Sequence, residues 1–257
     1  MGKLKIKTTS KNQKSHLKNL QSVLFAFKKF SVSQQNCPMK INTDGVLLAA
    51  LAGVQHKTEM LDIGTGTGII ALMLAQRNEG AFIDAIEIDA EAAKTAALNF
   101  TNSVFNNRLK AHQQSFQDYF KNEPRKHYDL IVSNPPFFIN ALKSNQEKKN
   151  LARHTSEIFF EDLLRLSAAH LTANGRLEII IPTEIEKLIL AIACKNHLFL
   201  QQKISISSFD NTKAIRSILS FGKNDVPYRE IFFSIYAQQG VHSVAYKNAL
   251  KDFFILF

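Results

Sequence analysis

Only two cysteines occur in the 257 residues, Cys37 and Cys194, too few and too far apart for a disulfide framework or a zinc site. A reducing compartment is expected, and neither thiol is a candidate for catalysis. Long apolar runs are missing as well. The longest, "IIALMLA" and "LILAIAC", fall far short of the ~20 residues that span a bilayer, and the first residues carry no apolar signal-peptide core. These absences point to a soluble cytoplasmic protein with no membrane partner. No Ser-His or Cys-His constellation marks an activated nucleophile, and no metal is expected. No internal repeat is present, nor any low-complexity tract beyond the lysine-rich first 20 residues. Nothing in the sequence sets an oligomeric state.

Acidic residues are absent from the first 43 positions, which hold nine lysines; the first carboxylate is Asp44. The remaining chain is almost neutral, so +9 of the net +10 lies in the first sixth. A basic arm over residues 1–22 ahead of a domain over 23–257 that is almost neutral from Asp44 onward is the footprint of a phosphate-backbone partner, or else a solvated tail; the charge pattern leaves both open. With 45% apolar residues the chain can bury a sizeable core.

Apolar periodicity orders that domain. "VLFAFKKFSVSQ" (23–34) reads as a strand or hairpin, and "TDGVLLAALAGV" (43–54) as a helix capped by Thr43 or Asp44, together an N-terminal extension reaching about residue 57. Strands follow at 59–63, 81–88, 108–113, 128–133, 175–181, 199–208 and 229–237, with helices at 67–77, 90–103, 157–171 and 183–196. This alternation predicts an α/β fold: a doubly wound, mostly parallel seven-stranded sheet with helices on both faces. The last two strands have no long helix between them and are expected as an antiparallel pair closing one edge. "HSVAYKNALKDFFILF" is expected as a C-terminal helix docked by its aromatics.

In "EMLDIGTGTG" the first core strand runs through Asp62 into Gly64, Gly66 and Gly68 and then directly into the apolar helix. Glycines there let backbone approach a ligand closely, and the helix N-terminus offers free N–H groups. The spacing is G-x-G-x-G, with Ile69 where a dinucleotide fingerprint needs its third glycine, which counts against NAD. The second strand ends in "AIEID", placing Glu87 where an acid accepts hydrogen bonds from ribose hydroxyls.

"LDIGTGTGIIAL" followed by "AIEID" resembles the cofactor site of class I S-adenosylmethionine-dependent methyltransferases. The resemblance implies a Rossmann-like fold, S-adenosylmethionine as cofactor, its methionine half held by Asp62, Gly64, Gly66 and Gly68, and its ribose held by Glu87. In that family an acid after the third strand contacts the adenine amine. The matching stretch "HQQSFQDYF" offers Ser115, with Asp118 as the alternative.

"YDLIVSNPPFF" ends the fourth strand in an abrupt polar, rigid turn. An exocyclic amine on an aromatic ring is a poor nucleophile because its lone pair is delocalised. The Asn134 side-chain oxygen and the Pro135 carbonyl, aimed at its N–H bonds, would draw the nitrogen toward tetrahedral geometry and bind more strongly as positive charge develops. Pro135 and Pro136 hold the backbone so that the acceptors need not reorganise. Phe137 can stack on the flat base and keep its nitrogen in line. The tetrapeptide resembles the [DNS]-P-P-[YFW] motif of methyltransferases acting on planar nitrogens, which admits adenine N6, guanine N2, cytosine N4 and glutamine amide.

Four blocks, "FKKFSVSQQNCPMKINTDGVLLAA", "NPPFF", "NLARHTSEIFFEDLL" and "GRLEIIIP", together are similar to the bacterial tRNA(Val) adenine-N6 methyltransferases, from about residue 24 to the C-terminus. This resemblance implies a tRNA substrate modified at the adenosine 3′ of the anticodon, Asp44 beside the cofactor, and Arg153 and His154 near the substrate. Lys143, Lys148, Lys149 and Arg153 are expected to track RNA phosphates. His112 is expected as a packed core histidine. Alternatives at this stage are a guanine-N2 rRNA methyltransferase, a protein glutamine methyltransferase, and a noncatalytic RNA-binding protein.

Overall fold

The structure, a computed structural model, describes residues 24–136 and 146–257, with side chains from 157 onward in the second segment. β1 (Leu24–Ala26) and β2 (Ser31–Ser33) pair as an antiparallel hairpin separate from the main sheet. Its Phe27 ring stacks on Phe30 at 4.7 Å and packs on Phe254 at 5.7 Å, tying the hairpin to the C-terminus. α1 (Thr43–Leu51) comes next. Its cap is Asn42 rather than Thr43 or Asp44, because the Asn42 side chain accepts the Gly45 N–H. Gly45 to Ala50 are all buried, so beyond its first two residues this helix is buried on every side rather than amphipathic.

The remaining elements are β3 (Glu59–Ile63), α2 (Ile69–Arg77), β4 (Phe82–Glu87), α3 (Ala90–Thr101), β5 (Leu109–Gln113), α4 (Phe116–Asn122), β6 (Tyr128–Ser133), α5 (Gln146–His170), β7 (Leu171–Pro182), α6 (Glu186–Lys195), β8 (Phe199–Phe209), β9 (Arg216–Gly222), β10 (Arg229–Gln238), β11 (Val241–His242) and α7 (Val244–Leu250). One sheet takes β3 to β11 in the order β11-β10-β8-β9-β7-β6-β3-β4-β5. β5, β4, β3, β6 and β7 run parallel. Residues of α1, α2, α3 and α7 form one core against the sheet, and residues of α4, α5 and α6 form another on the opposite face. The doubly wound architecture expected from the alternation is therefore present.

The sheet differs from expectation in its second half. It has nine strands, and β9 enters antiparallel between β7 and β8 where only a linker was expected. The strands expected as an antiparallel pair, β8 and β10, are parallel. The β9 chain direction explains this: inserted between β7 and β8, it returns the chain so that β10 can lie alongside β8 in the same sense. The edge strand β11 is antiparallel to β10. α4 was not expected, and α5 begins at Gln146, well before position 157. The C-terminal helix is only Val244–Leu250, but Phe253 after it is buried in the core as expected.

The His112 side chain is largely buried, packs edge-on against the buried Tyr119 ring at 4.9 Å, and places its Nε2 2.7 Å from Asp84 Oδ1. Lys126 and the Tyr128 hydroxyl donate to the other Asp84 oxygen. Burial alone would raise the Asp84 pKa, but the bonds from His112 and Lys126 hold it well below the usual carboxylate range.

Strand order reverses at β3, which has β4 on one side and β6 on the other. Doubly wound sheets bind ligands at the carboxyl ends of the strands at this reversal. Both singled-out sequence motifs, after β3 and after β6, lie there.

Candidate active site

A cleft of about 450 Å³ opens at that point. Ile63 to Thr67 form its base, Ile86 to Asp89 and Gln114 to Gln117 one side, and Ser133 to Pro136 the other. Pro38 to Asn42, Phe159 and residues of the first turns of α1, α2 and α3 add to the lining. The turn after β3 is positioned by the neighbouring strand, since the Gly64 and Thr65 N–H groups both donate to the Ile86 carbonyl. Gly64, Gly66 and Gly68 have φ of +74°, +56° and +81°, which L side chains rarely adopt. At Gly68 a Cβ would also sit 2.5 Å from the Phe100 ring. Beside Gly64 and Gly66 the space is open, leaving room for a ligand against bare backbone.

Glu87 accepts the Gly66 N–H at 2.9 Å through one oxygen and the Asp89 N–H at 2.9 Å through the other. It therefore fastens the glycine turn to the end of β4. Ser115 lines the cleft and caps α4: its Oγ accepts the Asp118 N–H at 3.0 Å and donates to Asp118 Oδ2 at 2.7 Å. Asp118 is not part of the lining.

Ser133 donates to the Ile63 carbonyl at 2.9 Å, linking the end of β6 to the end of β3. Asn134, Pro135 and Pro136 follow directly and line the same cleft. Asn134 Nδ2 lies 3.4 Å from Asn42 Oδ1, whereas Asn134 Oδ1 is buried and has no hydrogen-bond partner among the described residues. A buried acceptor without a donor costs roughly 1–3 kcal/mol.

The model of the methyltransferase small domain family matches residues 42–190. A tRNA1(Val) (adenine(37)-N6)-methyltransferase of Pedobacter heparinus is 46% identical over 233 residues, covering 91% of this chain and 98% of the relative. A Parabacteroides distasonis protein of the same name is 38% identical and covers 90% and 97%. The chain belongs to this tRNA1(Val) (adenine-N6)-methyltransferase family. Its fold is also that of the crystal structure of a predicted O-methyltransferase from Agrobacterium tumefaciens, with a TM-score of 0.63 at 18% identity, covering 82% of this chain and 96% of that one.

The structure thus brings Gly64, Gly66, Glu87, Ser115, Asn134, Pro135 and Pro136 of this family member into one cleft. Asp44 is not among the lining residues, because Arg216 Nε engages its carboxylate at 2.8 Å. Phe137 and Lys143 lie outside the described residues. Lys148, Lys149, Arg153 and His154 fall in α5, in the part whose side chains are not described. Sequence reading missed Asn42, Gln114, Phe116 and Phe159. For Asn42 the signal was present in "NTDG", an Asn directly before a helix. Among the described residues no helix is long and apolar enough to cross a membrane, and no group of three or more His, Cys, Asp or Glu side chains could hold a metal ion.

Asp62 sits fully buried behind the glycine turn. Burial pushes its pKa up from 3.8 to about 7, partly offset by the Thr65 hydroxyl, which donates to Oδ2 at 2.6 Å. The folded state thus binds this proton more tightly than the unfolded chain, and stability falls as pH rises from about 4 to about 7, by up to roughly 4 kcal/mol from this group. We expect the melting temperature of Asp62→Asn to exceed that of the ligand-free wild type by a margin that grows from pH 5 to pH 8. Parallel melting curves across that range would show that Asp62 does not titrate there.

Proposed function

We propose that this chain transfers the methyl group of S-adenosylmethionine to N6 of an adenine in tRNA, at the adenosine specified by the shared name of its relatives. One observation carries this reading: the Asn134 side-chain oxygen is buried and unpartnered among the described residues, on a residue that lines the same cleft as the glycine turn. The cleft suits the cofactor. Gly64 and Gly66 offer bare backbone to its methionine half, Glu87 can receive its ribose hydroxyls, and Ile88 and Met39, 71% and 42% exposed on the lining, offer apolar surface to its adenine. When bound, S-adenosylmethionine supplies an electrophilic methyl group on a good leaving group.

The remaining chemistry belongs to the protein. Asn134 Oδ1 and the Pro135 carbonyl accept the two amine N–H bonds and localise the nitrogen lone pair, and both bonds strengthen as the nitrogen becomes cationic. Pro135 and Pro136 keep that turn from reorganising. Phe137 stacks on the base, and Ser115 is our choice over Asp118 for the cofactor's adenine amine because Ser115 lines the cleft. Asp44 acts through the α1 start, which its pair with Arg216 holds against β9. No activated nucleophile is required.

An anticodon loop is single-stranded, so its base can be unstacked into a pocket at modest cost. Lys143, Lys148, Lys149, Arg153 and His154 are assigned to its backbone, together with the basic arm of residues 1–22. A tRNA substrate and two free thiols are consistent with a cytoplasmic protein.

The test is incubation with labelled S-adenosylmethionine and bulk tRNA lacking this modification, then digestion to nucleosides. Label in N6-methyladenosine, mapped beside the anticodon of tRNA(Val), is expected. Label in N2-methylguanosine, or only in protein, would overturn the assignment. For the arm, deleting residues 1–20 should lower tRNA affinity, leave cofactor affinity unchanged and flatten the salt dependence, because fewer counterions are released. An unchanged salt slope would make the lysines a solvated tail.

A further inference from the structure

Asn134 can serve as an amine acceptor only if its amide is turned the right way. Rotating the group by half a turn exchanges Oδ1 for Nδ2, and an NH₂ facing the substrate amine would repel it. Something other than Pro135 and Pro136 must set this orientation, since prolines restrain the backbone and not the Asn134 side-chain torsion.

The contacts around Asn134 identify that restraint. Asn42 Oδ1 accepts the Gly45 backbone N–H at 2.9 Å. A backbone N–H can only donate, so the atom of Asn42 that meets it is an oxygen, and the direction of the Asn42 amide is set by the main chain of α1. The same Asn42 oxygen lies 3.4 Å from Asn134 Nδ2. In the reversed orientation of Asn134, two amide oxygens would face each other at that distance. The repulsion disfavours the reversal, and the remaining atom, Oδ1, stays unpartnered. Orientation is thus passed from a backbone N–H to Asn42 and from Asn42 to Asn134, across 92 positions of sequence.

Gly45, in the first turn of α1, lies beside both amides. A Cβ there would lie 3.4 Å from Asn134 Nδ2 and 3.5 Å from Asn42 Oδ1. Both are ordinary contact distances, so the two amides sit directly against the start of α1.

We infer that Asn42 is a positioning residue for methyl transfer: its side-chain oxygen, oriented by the Gly45 N–H, turns the Asn134 amide so that Oδ1 faces the substrate amine. The inference rests on the acceptor role of Asn134 proposed above. It assigns a catalytic consequence to a helix cap, and it predicts that helix integrity and catalysis separate in suitable variants.

Three Asn42 variants separate them. Asn42→Ser keeps a capping oxygen for α1 but its shorter side chain does not reach Asn134; Asn42→Asp keeps both the cap and the reach; Asn42→Ala removes both. Single-turnover methylation of tRNA, S-adenosylhomocysteine affinity and melting temperature would be measured for each, with Asn134→Ala alongside. Asn42→Ser is expected to lower the rate roughly 10-fold, less than loss of the acceptor itself, with cofactor affinity and melting temperature near wild type. Asn42→Asp should restore the rate to within about 3-fold, because its oxygen still meets Nδ2. In an Asn134→Ala background Asn42→Ser should have no further effect, because the amide it orients is gone. An unchanged rate in Asn42→Ser, or the same fractional loss with and without Asn134, overturns the inference while leaving the acceptor role standing. An unchanged rate in Asn134→Ala removes both together.

Discussion

Asn134→Ala lowers the methyl-transfer rate by about 10² to 10³, the range found when one preorganised partner of a developing charge is removed from an active site. The expectation follows from the proposed acceptor role and from where Asn134 sits: its side-chain oxygen is buried without a donor among the described residues, on a residue that lines the cleft that the glycine turn also lines. A group that binds substrate and transition state equally changes KM, whereas one whose bond strengthens with nitrogen charge changes the rate. The loss should therefore appear in single turnover at saturating tRNA. Affinity for S-adenosylhomocysteine should change little, since the glycine turn follows β3 and Glu87 ends β4, and neither bonds to Asn134. A rate within a few-fold of wild type would mean that the Pro135 carbonyl suffices, and the acceptor-pair chemistry would fail.

Glu87→Ala should have the second largest effect, on binding. The Glu87 carboxylate holds the Gly66 and Asp89 N–H groups at 2.9 Å each, so it shapes the glycine turn as well as offering oxygens to the cleft. Truncation frees the turn and, on the proposed assignment, removes the acceptors for the two ribose hydroxyls. Hydrogen bonds to charged groups contribute about 1.5–3 kcal/mol each, so affinity for S-adenosylhomocysteine should fall on the order of 10² to 10³-fold. Glu87→Gln, which keeps one acceptor oxygen, should fall between. Calorimetric titration reads both. Undiminished binding in Glu87→Ala would remove Glu87 from the cofactor site.

Much of the first half of the fold was legible because its signals are short-range. β3, the glycine turn and α2 are contiguous, and β6 runs without a break into Asn134-Pro135-Pro136. β9 was not legible. Its sequence "RSILSFG" interrupts apolar residues with Ser217 and Ser220, so it reads as a polar linker. Both serines are buried because Ser217 donates to Glu186 and Ser220 to Glu178, acids more than 30 positions earlier in the chain. Burial that depends on a distant partner leaves no local periodicity. The direction of β10 was misjudged for the same reason, since it follows from β9.

Hydrophobic periodicity, the G-x-G-x-G spacing and the Asn-Pro-Pro turn determined by themselves the class of fold and the two segments that line the cleft, because each is a property of a few neighbouring residues. Tertiary structure alone decided the rest of the site. It brought the α1 cap Asn42 against Asn134, paired Asp44 with Arg216 across 172 positions, and buried Asp62 so that its carboxyl titrates near neutrality. Amide orientation, ion pairing and desolvation all depend on what lies within a few ångströms in space, and chain order does not specify that until the sheet is assembled.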